Sequence, residues 1–305
     1  MHELDSYLEK IDFEHIEKHP NILVAARFWD DRRYHAAKLC YQFMRMIDDH
    51  IDDRKAGEEA ISCIERQMMT EKVNNWIDCL YKSDEKDPFI QELVETISTF
   101  HIPMQLFHKF TKSMLYDINH EGFATLSEFM DYAEGASVAP ASVFVHLCCL
   151  TENGHAYEPA EFNIVDVARP CAIFSYIVHI IRDFQQDQLS NLNYFATDIL
   201  GKNQLHPSDL MGLALGAPVP DSFRAVIREY CHIAEVYRKK TQVELGKLST
   251  KLNDRYLLSL HVIYELYRMV VERIDIENGN FTTPELNPTP LEIKNRVLEV
   301  ATGWS

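Results

Sequence analysis

Two stretches of the chain carry pairs of carboxylates at the spacing of one helical turn. The four acids, and the arginine just ahead of each pair, are Arg45, Asp48, Asp52, Arg182, Asp183 and Asp187. On a helix, residues four apart lie on the same face, one turn from each other. Two such faces brought together would supply oxygen ligands for several Mg²⁺ ions, and Mg²⁺ is commonly bound together with phosphates. The pattern indicates an enzyme that acts on diphosphate esters.

Each acid pair is part of a longer polar stripe. The first stripe is Tyr41, Arg45, Asp48 and Asp52, and the second is Tyr176, His179, Asp183 and Asp187. Both follow the three- and four-residue steps of one helix face, and strongly apolar residues flank them. We therefore expect both stripes to face a shared interior cavity. The alternative is two exposed acidic helix surfaces, on which such pairs are common.

The chemistry that fits these residues is ionisation of an allylic diphosphate. A metal ion that bridges carboxylates and diphosphate stabilises the departing pyrophosphate. The allylic carbocation left behind needs a dry cavity with apolar and aromatic walls. The chain has 16 Phe and 14 Tyr, so candidates for such walls abound, although any single aromatic is more often a core residue.

Other motifs are weak. His15 and His19 are one turn apart, but they lack the order of a zinc protease motif and an obvious third ligand. The sequence has no glycine-rich P-loop and no GxGxxG, so nothing supports a built-in nucleotide-binding fold.

Composition limits the class of partner. The formal net charge is −17 over 305 residues, and this argues against nucleic-acid binding, which needs a basic track. An acidic protein that handles anionic substrates needs metal ions or a few arginines to reverse the local charge. Seven scattered cysteines without a CxxC indicate reduced thiols and a cytoplasmic location.

No membrane-spanning or secretory segment is expected. The N-terminus is acidic, and the longest apolar windows, 143–150 and 172–181, fall short of the roughly 20 residues that a spanning helix requires. Peripheral contact with a membrane, to collect or deliver a lipid, stays open. The sequence also leaves open whether the protein is a monomer or a homodimer.

The low content of Gly (10) and Pro (12) favours long helices. Periodicity and breakers predict an all-α protein, with one domain over residues 1–305 around a central cavity. The predicted helices are 31–54, 58–81, 89–100, 104–120, 126–150, 161–188, 221–247, 252–276 and 291–301. Residues 154–159 are predicted as a loop and residues 191–217 as an irregular region, and the segment after Asp187 is the candidate for a mobile flap beside a site.

The motifs resemble those of a known family. Residues 36–52, with the pattern Tyr-x-x-x-Arg-x-x-Asp-Asp-x-x-Asp, resemble the first acidic motif of the squalene/phytoene synthase family. Residues 180–188 resemble its second acidic motif, and 132–138 resemble the segment that lines its prenyl tunnel. Tyr194 stands where the family places an aromatic flap residue. The order, the spacing and the total length all agree with the family.

The resemblance implies the isoprenoid synthase fold and head-to-head joining of two prenyl diphosphates through a cyclopropyl intermediate. It implies Asp48, Asp52, Asp183 and Asp187 as Mg²⁺ ligands, and Arg45 and Arg182 as diphosphate contacts. The residues implied to lie near the substrate are Tyr41, Tyr132, Tyr194, Tyr264 and His19.

The second motif departs from the family pattern at two positions. His179 replaces the usual Asn, a further metal ligand, and Tyr176 replaces a usual Gln. Imidazole is a poorer partner for Mg²⁺ than an amide oxygen, although Mn²⁺ accepts it. The arginine common before the flap tyrosine is also absent, and Asn191-Leu192-Asn193 stand there instead. These changes leave open the number of metals and whether both reaction steps occur.

The leading hypothesis is an Mg²⁺-dependent condensation of two farnesyl or geranylgeranyl diphosphates to a presqualene-, squalene- or phytoene-type product. One alternative is a terpene-synthase-like enzyme that ionises a single diphosphate. Another is a non-catalytic prenyl-lipid-binding or assembly factor of the same fold. Chain length, the use of NADPH and the downstream pathway cannot be read from the sequence.

Overall fold

The computed structural model describes residues 8–13, 21–57, 60–82, 86–154 and 156–304. The helices of the first half are α1 (Asn21–Ala26), α2 (Asp31–Lys55), α3 (Cys63–Cys79), α4 (Pro88–Thr99), α5 (Met104–Asn119), α6 (Leu126–Ala133) and α7 (Ala139–Cys149). Those of the second half are α8 (Ile164–Arg182), α9 (Phe184–Leu189), α10 (Thr197–Lys202), α11 (Pro207–Ala214), α12 (Asp221–Leu248), α13 (Asp254–Val271), α14 (Thr283–Leu286) and α15 (Pro290–Thr302). The all-α prediction is confirmed.

Side-chain caps explain where several helices begin. The Asp30 side chain accepts a hydrogen bond from the Arg33 N–H and starts α2. The second predicted helix, 58–81, begins only at Cys63, because Ser62 and Glu65 form a capping box that fixes the helix start there.

The segment predicted as one helix, 126–150, runs in one direction but is not α-helical throughout. A π-helical turn, Glu134–Val138, separates α6 from α7. At Gly135, a Cβ atom would lie 2.2 Å from the Lys109 carbonyl oxygen of α5. Only glycine allows this close approach of α5 to the π turn. Such turns recur at functional sites, and this one contributes to the cavity described below.

The predicted helix 161–188 breaks at one residue. It starts at Ile164, where the Asn163 side chain caps the first turn, and ends at Arg182. Asp183 has φ −94° and ψ 4° and joins α8 to α9. The Asp187 N–H still donates to the Asp183 carbonyl oxygen at 2.8 Å, so the two acids remain one turn apart.

The predicted loop at 154–159 is partly a hairpin. Strands β1 (Thr151–Asn153) and β2 (Ala156–Glu158) pair antiparallel, with Thr151 opposite Glu158. Two three-residue strands are too short for a periodic signal in the sequence.

Helix α8 is the central element. It packs on α7, α12 and α13, and α2 packs on α5 and α7. Among the described residues it is also the one helix with the length and apolar composition to cross a membrane. Its burial among these helices accounts for that composition. Nearly all of the buried apolar side chains of the described residues form one cluster, and the seven cysteines are free thiols.

Candidate active site

A cavity of about 720 Å³ runs between the central helices. Asp48 and Asp52 of α2 line it, as do Asp183 at the α8–α9 junction and Asp187 of α9. The volume lies within the range of small-molecule sites, roughly 300–1,000 Å³. The two acidic stripes therefore face one interior space, and the alternative of two separate surface patches is excluded.

In the first stripe, Arg45 is held by acids of its own helix. Its Nη1 lies 2.8 Å from Asp48 Oδ2, and its other terminal nitrogen contacts Asp49. Burial raises the pKa of Asp48 to about 6, opposed by Arg45 and reinforced by Asp117 and Asp49. Burial, with Asp48 and Asp117 close by, raises the pKa of Asp52 to about 8.

The second stripe is asymmetric. Arg182 grips Asp183 with two hydrogen bonds of 2.7 Å, and His179 Nε2 lies 2.7 Å from Asp183 Oδ2. Burial alone would raise the pKa of Asp183, but His179 and Arg182 together hold it well below its usual range. Among the described residues Asp187 forms no ion pair, and burial together with Asp183 and Asp52 raises its pKa to about 8.

The four carboxylates supply the oxygen ligands that Mg²⁺ prefers. The Oδ1 atom of Asp52 is buried and has no hydrogen-bond partner in the described part of the chain. Such an atom, beside acids of raised pKa, marks negative charge that the protein leaves uncompensated. Within the described ranges, no three His, Cys, Asp or Glu side chains form a closed metal cage. Mg²⁺ usually binds one or two carboxylates and completes its shell with water and substrate phosphate, so an open set fits it.

Three tyrosines stand beside the acids. Tyr132, Tyr176 and Tyr194 line the cavity, and the Tyr176 ring lies 6.3 Å from that of Tyr132 and 6.4 Å from that of Tyr194. Burial raises the pKa of all three well above the usual value, so they remain neutral phenols. Tyr41 also lines the cavity, and burial raises its pKa.

Away from the acids the cavity walls are apolar. Small residues of α8 form one wall, with small residues of the π turn and α7 as another, and larger side chains bound the remainder. These lining residues are Val167, Ala168, Cys171, Ala172, Ser175, Ala136, Ser137, Pro140, Ala141, Phe144, Leu248 and Leu260. The cavity thus combines an acidic part with an apolar channel.

Two described residues that were predicted for the site, Arg182 and Tyr264, are not among the side chains that line this cavity. Arg182 is turned toward Asp183 rather than into the cavity. The Tyr264 ring packs 5.9 Å from that of Phe174, its hydroxyl accepts a hydrogen bond from Arg238, and Tyr267, one turn on, lines the cavity instead. His19, like His15, lies outside the described residues.

Asp117 of α5 is a site residue that the motifs did not reveal. It is 7% exposed, forms an ion pair with Lys55 and accepts a hydrogen bond from the Tyr132 hydroxyl at 3.4 Å. Its charge raises the pKa values of Asp48, Asp52 and Tyr176. The only sequence signal was an isolated acid in the apolar run Met114–Ile118.

Comparison with known protein families identifies the family of this chain. The chain matches the squalene/phytoene synthase family over residues 17–292 and belongs to that family. Comparison with curated proteins gives no match.

Solved structures show the same fold. A dehydrosqualene synthase crystallised with a ligand is 13% identical, with a TM-score of 0.67 and 99% of each chain covered. YisP from Bacillus subtilis is 14% identical, with a TM-score of 0.65 and coverage of 98% of this chain and 97% of that one. The squalene synthase HpnC from Alicyclobacillus acidocaldarius is 15% identical, with a TM-score of 0.63 and coverage of 87% and 91%. The fold is therefore the isoprenoid synthase fold.

Proposed function

We propose that the protein joins two prenyl diphosphates head to head in an Mg²⁺-dependent reaction that releases diphosphate. The observation that carries the proposal is a single cavity that has two pairs of carboxylates in one part and an apolar channel in the other. Membership in the squalene/phytoene synthase family supports the reaction class. Farnesyl and geranylgeranyl diphosphates are the proposed substrates.

Each part of the site has a role in this reaction. Asp48, Asp52, Asp183 and Asp187 would hold Mg²⁺ or Mn²⁺, which neutralises the diphosphate and stabilises it as a leaving group. Arg45, which lines the same space, binds the diphosphate oxygens. The apolar channel binds the prenyl tail and excludes water, which would otherwise capture the cation.

The chain's own side chains also hold the reacting groups in place. Arg182 fixes the orientation of the Asp183 carboxylate, because it donates a hydrogen bond to each of its two oxygens. Tyr41, Tyr132, Tyr176 and Tyr194 supply neutral aromatic groups beside the acids, and aromatic faces stabilise nearby cations. The double bond of the second substrate attacks the first allylic cation and leaves a new carbocation, and loss of a proton from this cation closes the ring of a cyclopropyl diphosphate.

A second candidate is ionisation of a single prenyl diphosphate. Among the described lining residues, Arg45 is the only Lys or Arg, whereas six are acids: Asp48, Asp52, Asp53, Asp183, Asp187 and Glu244. Two diphosphates would bring much more negative charge, and the described part of the lining offers one guanidinium to balance it. This charge balance favours a one-substrate reaction unless metal ions neutralise the second diphosphate.

The proposed setting follows from the substrates. Prenyl diphosphates and their products are lipids, so we propose a cytoplasmic enzyme whose membrane contact is peripheral. NADPH is required only if a second ionisation ends in reduction.

The test is incubation of the purified protein with each prenyl diphosphate and Mg²⁺ or Mn²⁺, with and without NADPH. We expect diphosphate release, and a product that contains two prenyl groups. A product with one prenyl group would support the second candidate. Absence of diphosphate release with every substrate and metal would leave a lipid-binding or assembly factor. Asp48→Ala, which removes a proposed metal ligand, is the matched negative control.

A further inference from the structure

The outer side of α12 is basic near its C-terminal end, although the chain as a whole is acidic. Residues 235–251 carry five Lys or Arg and two acids, a net charge of +3, whereas the whole chain has a formal net charge of −17. The two acids, Glu235 and Glu244, are only partly exposed. The exposed stripe of this segment, which we call the lysine face, consists of Val236, Lys239, Lys240, Val243 and Lys247.

The lysine face follows one side of the helix. From Val236 through Lys240 to Lys247 its residues recur in steps of four, three and four, which keeps them on one side over about 16 Å of helix. The side chains of Lys239 and Lys247 are 69% and 61% exposed, and Val236 and Val243 are 40% and 57% exposed. Two apolar side chains thus stand in water among ammonium groups. This arrangement is typical of helices that lie on a membrane surface.

Ion pairs within α12 leave most of this positive charge available. Lys239 Nζ lies 3.5 Å from Glu235, and Lys247 Nζ lies 2.8 Å from Glu244. Exposed pairs of this kind contribute little energy, so the lysines can turn to another anion. Lys240 Nζ lies 4.8 Å from the centre of an aromatic ring of its own helix.

The opposite side of the same helical turns lines the cavity. Thr241, Leu245 and Leu248 are lining residues, and the helical repeat places them on the side away from the lysine face. An α-helix with its side chains is about 10 Å thick, so roughly this distance separates the channel from the face. Glu244 connects the two sides, because it lines the cavity and pairs with Lys247.

We propose that the lysine face docks the protein on a bilayer surface that contains anionic phospholipids. The lysines bind the headgroup phosphates, and the two valines enter the boundary between headgroups and acyl chains. Docking places the apolar channel beside the bilayer, with which it exchanges prenyl lipids, and this use of the surface rests on the proposed function. The same lipids repel the acidic remainder of the protein, so the contact favours one orientation.

A bilayer fits the face better than a nucleic acid does. A nucleic acid would contact basic groups through its phosphates and would leave the two valines in water. A bilayer surface offers phosphates and, just below them, an apolar layer that buries valine side chains. The presence of both residue types on one stripe therefore selects the bilayer.

The experiment is cosedimentation of the purified protein, without substrate, with vesicles of phosphatidylglycerol and phosphatidylcholine or of phosphatidylcholine alone. We expect binding only where phosphatidylglycerol is present, and less binding as added salt screens the charges. The lysine variant, Lys239→Gln/Lys240→Gln/Lys247→Gln, should bind roughly 100-fold more weakly, about fivefold for each lysine. The matched control makes the same change of charge at exposed lysines of α2 and α5 and should bind like the wild type. This control is Lys38→Gln/Lys109→Gln/Lys112→Gln.

A second variant, Val236→Ser/Val243→Ser, tests the apolar part of the contact. We expect it to bind vesicles roughly tenfold more weakly. Its retention on heparin, an anionic polymer without an apolar layer, should equal that of the wild type. Retention of the wild type on heparin without binding to vesicles would assign the face to a polyanion and overturn the docking. A homodimer that the lysine variant dissociates would overturn it too, because a second acidic copy would then cover the face.

The outcomes keep the docking separate from the proposed function. If the wild type does not bind anionic vesicles, or if the lysine variant binds as well as its control, the docking is overturned and the prenyl diphosphate reaction stands. Vesicle binding without diphosphate release from any substrate would overturn the reaction and leave the docking standing. If the lysine variant fails to fold, the valine variant decides, because it leaves every charge of the face in place.

Discussion

His179 Nε2 lies 2.7 Å from Asp183 Oδ2, so an imidazole shares the carboxylate that the second motif presents to the cavity. Arg182 holds the same carboxylate from the other side. One acid of the motif is thus tied to two basic groups, while Asp187, one turn on, keeps a pKa of about 8. The two acidic motifs are alike in sequence and unlike in electrostatics.

This pairing makes the choice of metal depend on His179. We expect His179→Asn to raise kcat/KM with Mg²⁺ relative to Mn²⁺, because an amide oxygen suits Mg²⁺ better than an imidazole nitrogen. The measurement is the Mg²⁺/Mn²⁺ ratio of kcat/KM for diphosphate release. His206→Asn, in the capping box of α11 and outside the cavity lining, is a control in which the ratio should not move. An unchanged ratio in His179→Asn would show that the imidazole does not affect metal choice.

Asp52→Asn and Asp183→Asn should both abolish turnover but change stability in opposite directions. We expect each to lower activity by at least about 100-fold, the scale of a lost transition-state contact. The buried Oδ1 atom of Asp52 has no hydrogen-bond partner in the part of the chain that the structure describes, so neutralising this carboxylate should raise the Tm. Asp183→Asn should lower the free energy of unfolding by roughly 3 kcal/mol, because it leaves Arg182 without its counterion. Thermal unfolding of both variants measures the sign of each stability change. Equal shifts of the Tm in the two variants would contradict the account.

The stability of the metal-free protein should fall as the pH rises. The folded-state pKa values of Asp52 and Asp187, about 8, lie above the ordinary 3.8, so folding favours their protonated forms. That contribution is complete below pH 3.8 and is lost as the pH rises through about 8. Asp183 has the opposite shift, and it loses its contribution only in acid below 3.8.

The measurement for this pH dependence is the Tm in EDTA between pH 6 and pH 9. We expect a decline across this range that Asp52→Asn reduces. Added Mg²⁺ should restore the Tm at the alkaline end, because the ion binds the ionised carboxylates of the folded protein and offsets their repulsion. A Tm that is flat in EDTA would contradict the burial of these two acids.

Gly135→Ala should destabilise the fold. Its Cβ would lie 2.2 Å from the Lys109 carbonyl oxygen, which is backbone and cannot turn away, so we expect a loss of about 2 kcal/mol or more. Gly246→Ala, in α12 with no neighbour within 4 Å of its Cβ, should instead gain about 0.8 kcal/mol. Denaturant unfolding of the two variants measures both. Equal changes in the free energy of unfolding for the two variants would contradict the claim that the close packing of α5 on the π turn requires a glycine at position 135.

The sequence predicted most of the helices because long periodic segments with few breakers carry a strong signal. It placed α2 within one residue of its observed end at Lys55. It missed the break at Asp183, where no glycine or proline marks the change, and it predicted a single helix through the π turn although Gly135 and Pro140 stand there. These features depend on tertiary packing, which local propensity does not encode.

The sequence could predict those site residues that recur at helical spacing along one helix. The carboxylates share a helix face and a motif, so their spacing revealed them. Asp117 comes from a third helix and enters through the α5–π turn contact, for which the sequence has no periodic sign. Tyr264 and Tyr267 are both aromatic residues of one apolar helix, and only the packing of α13 decides which of them meets the cavity.

The central claim is that the four motif carboxylates and the apolar channel bind one substrate together. The most direct measurement is a crystal structure with Mg²⁺ and farnesyl thiodiphosphate, whose bridging sulfur resists ionisation. We predict metal-bound thiodiphosphate between Asp48, Asp52, Asp183 and Asp187, with Arg45 on its oxygens. The prenyl tail should lie along the small residues of α8, from Ser175 toward Ala168. A tail outside this channel, or a thiodiphosphate that binds without metal contacts to the four carboxylates, would contradict the account.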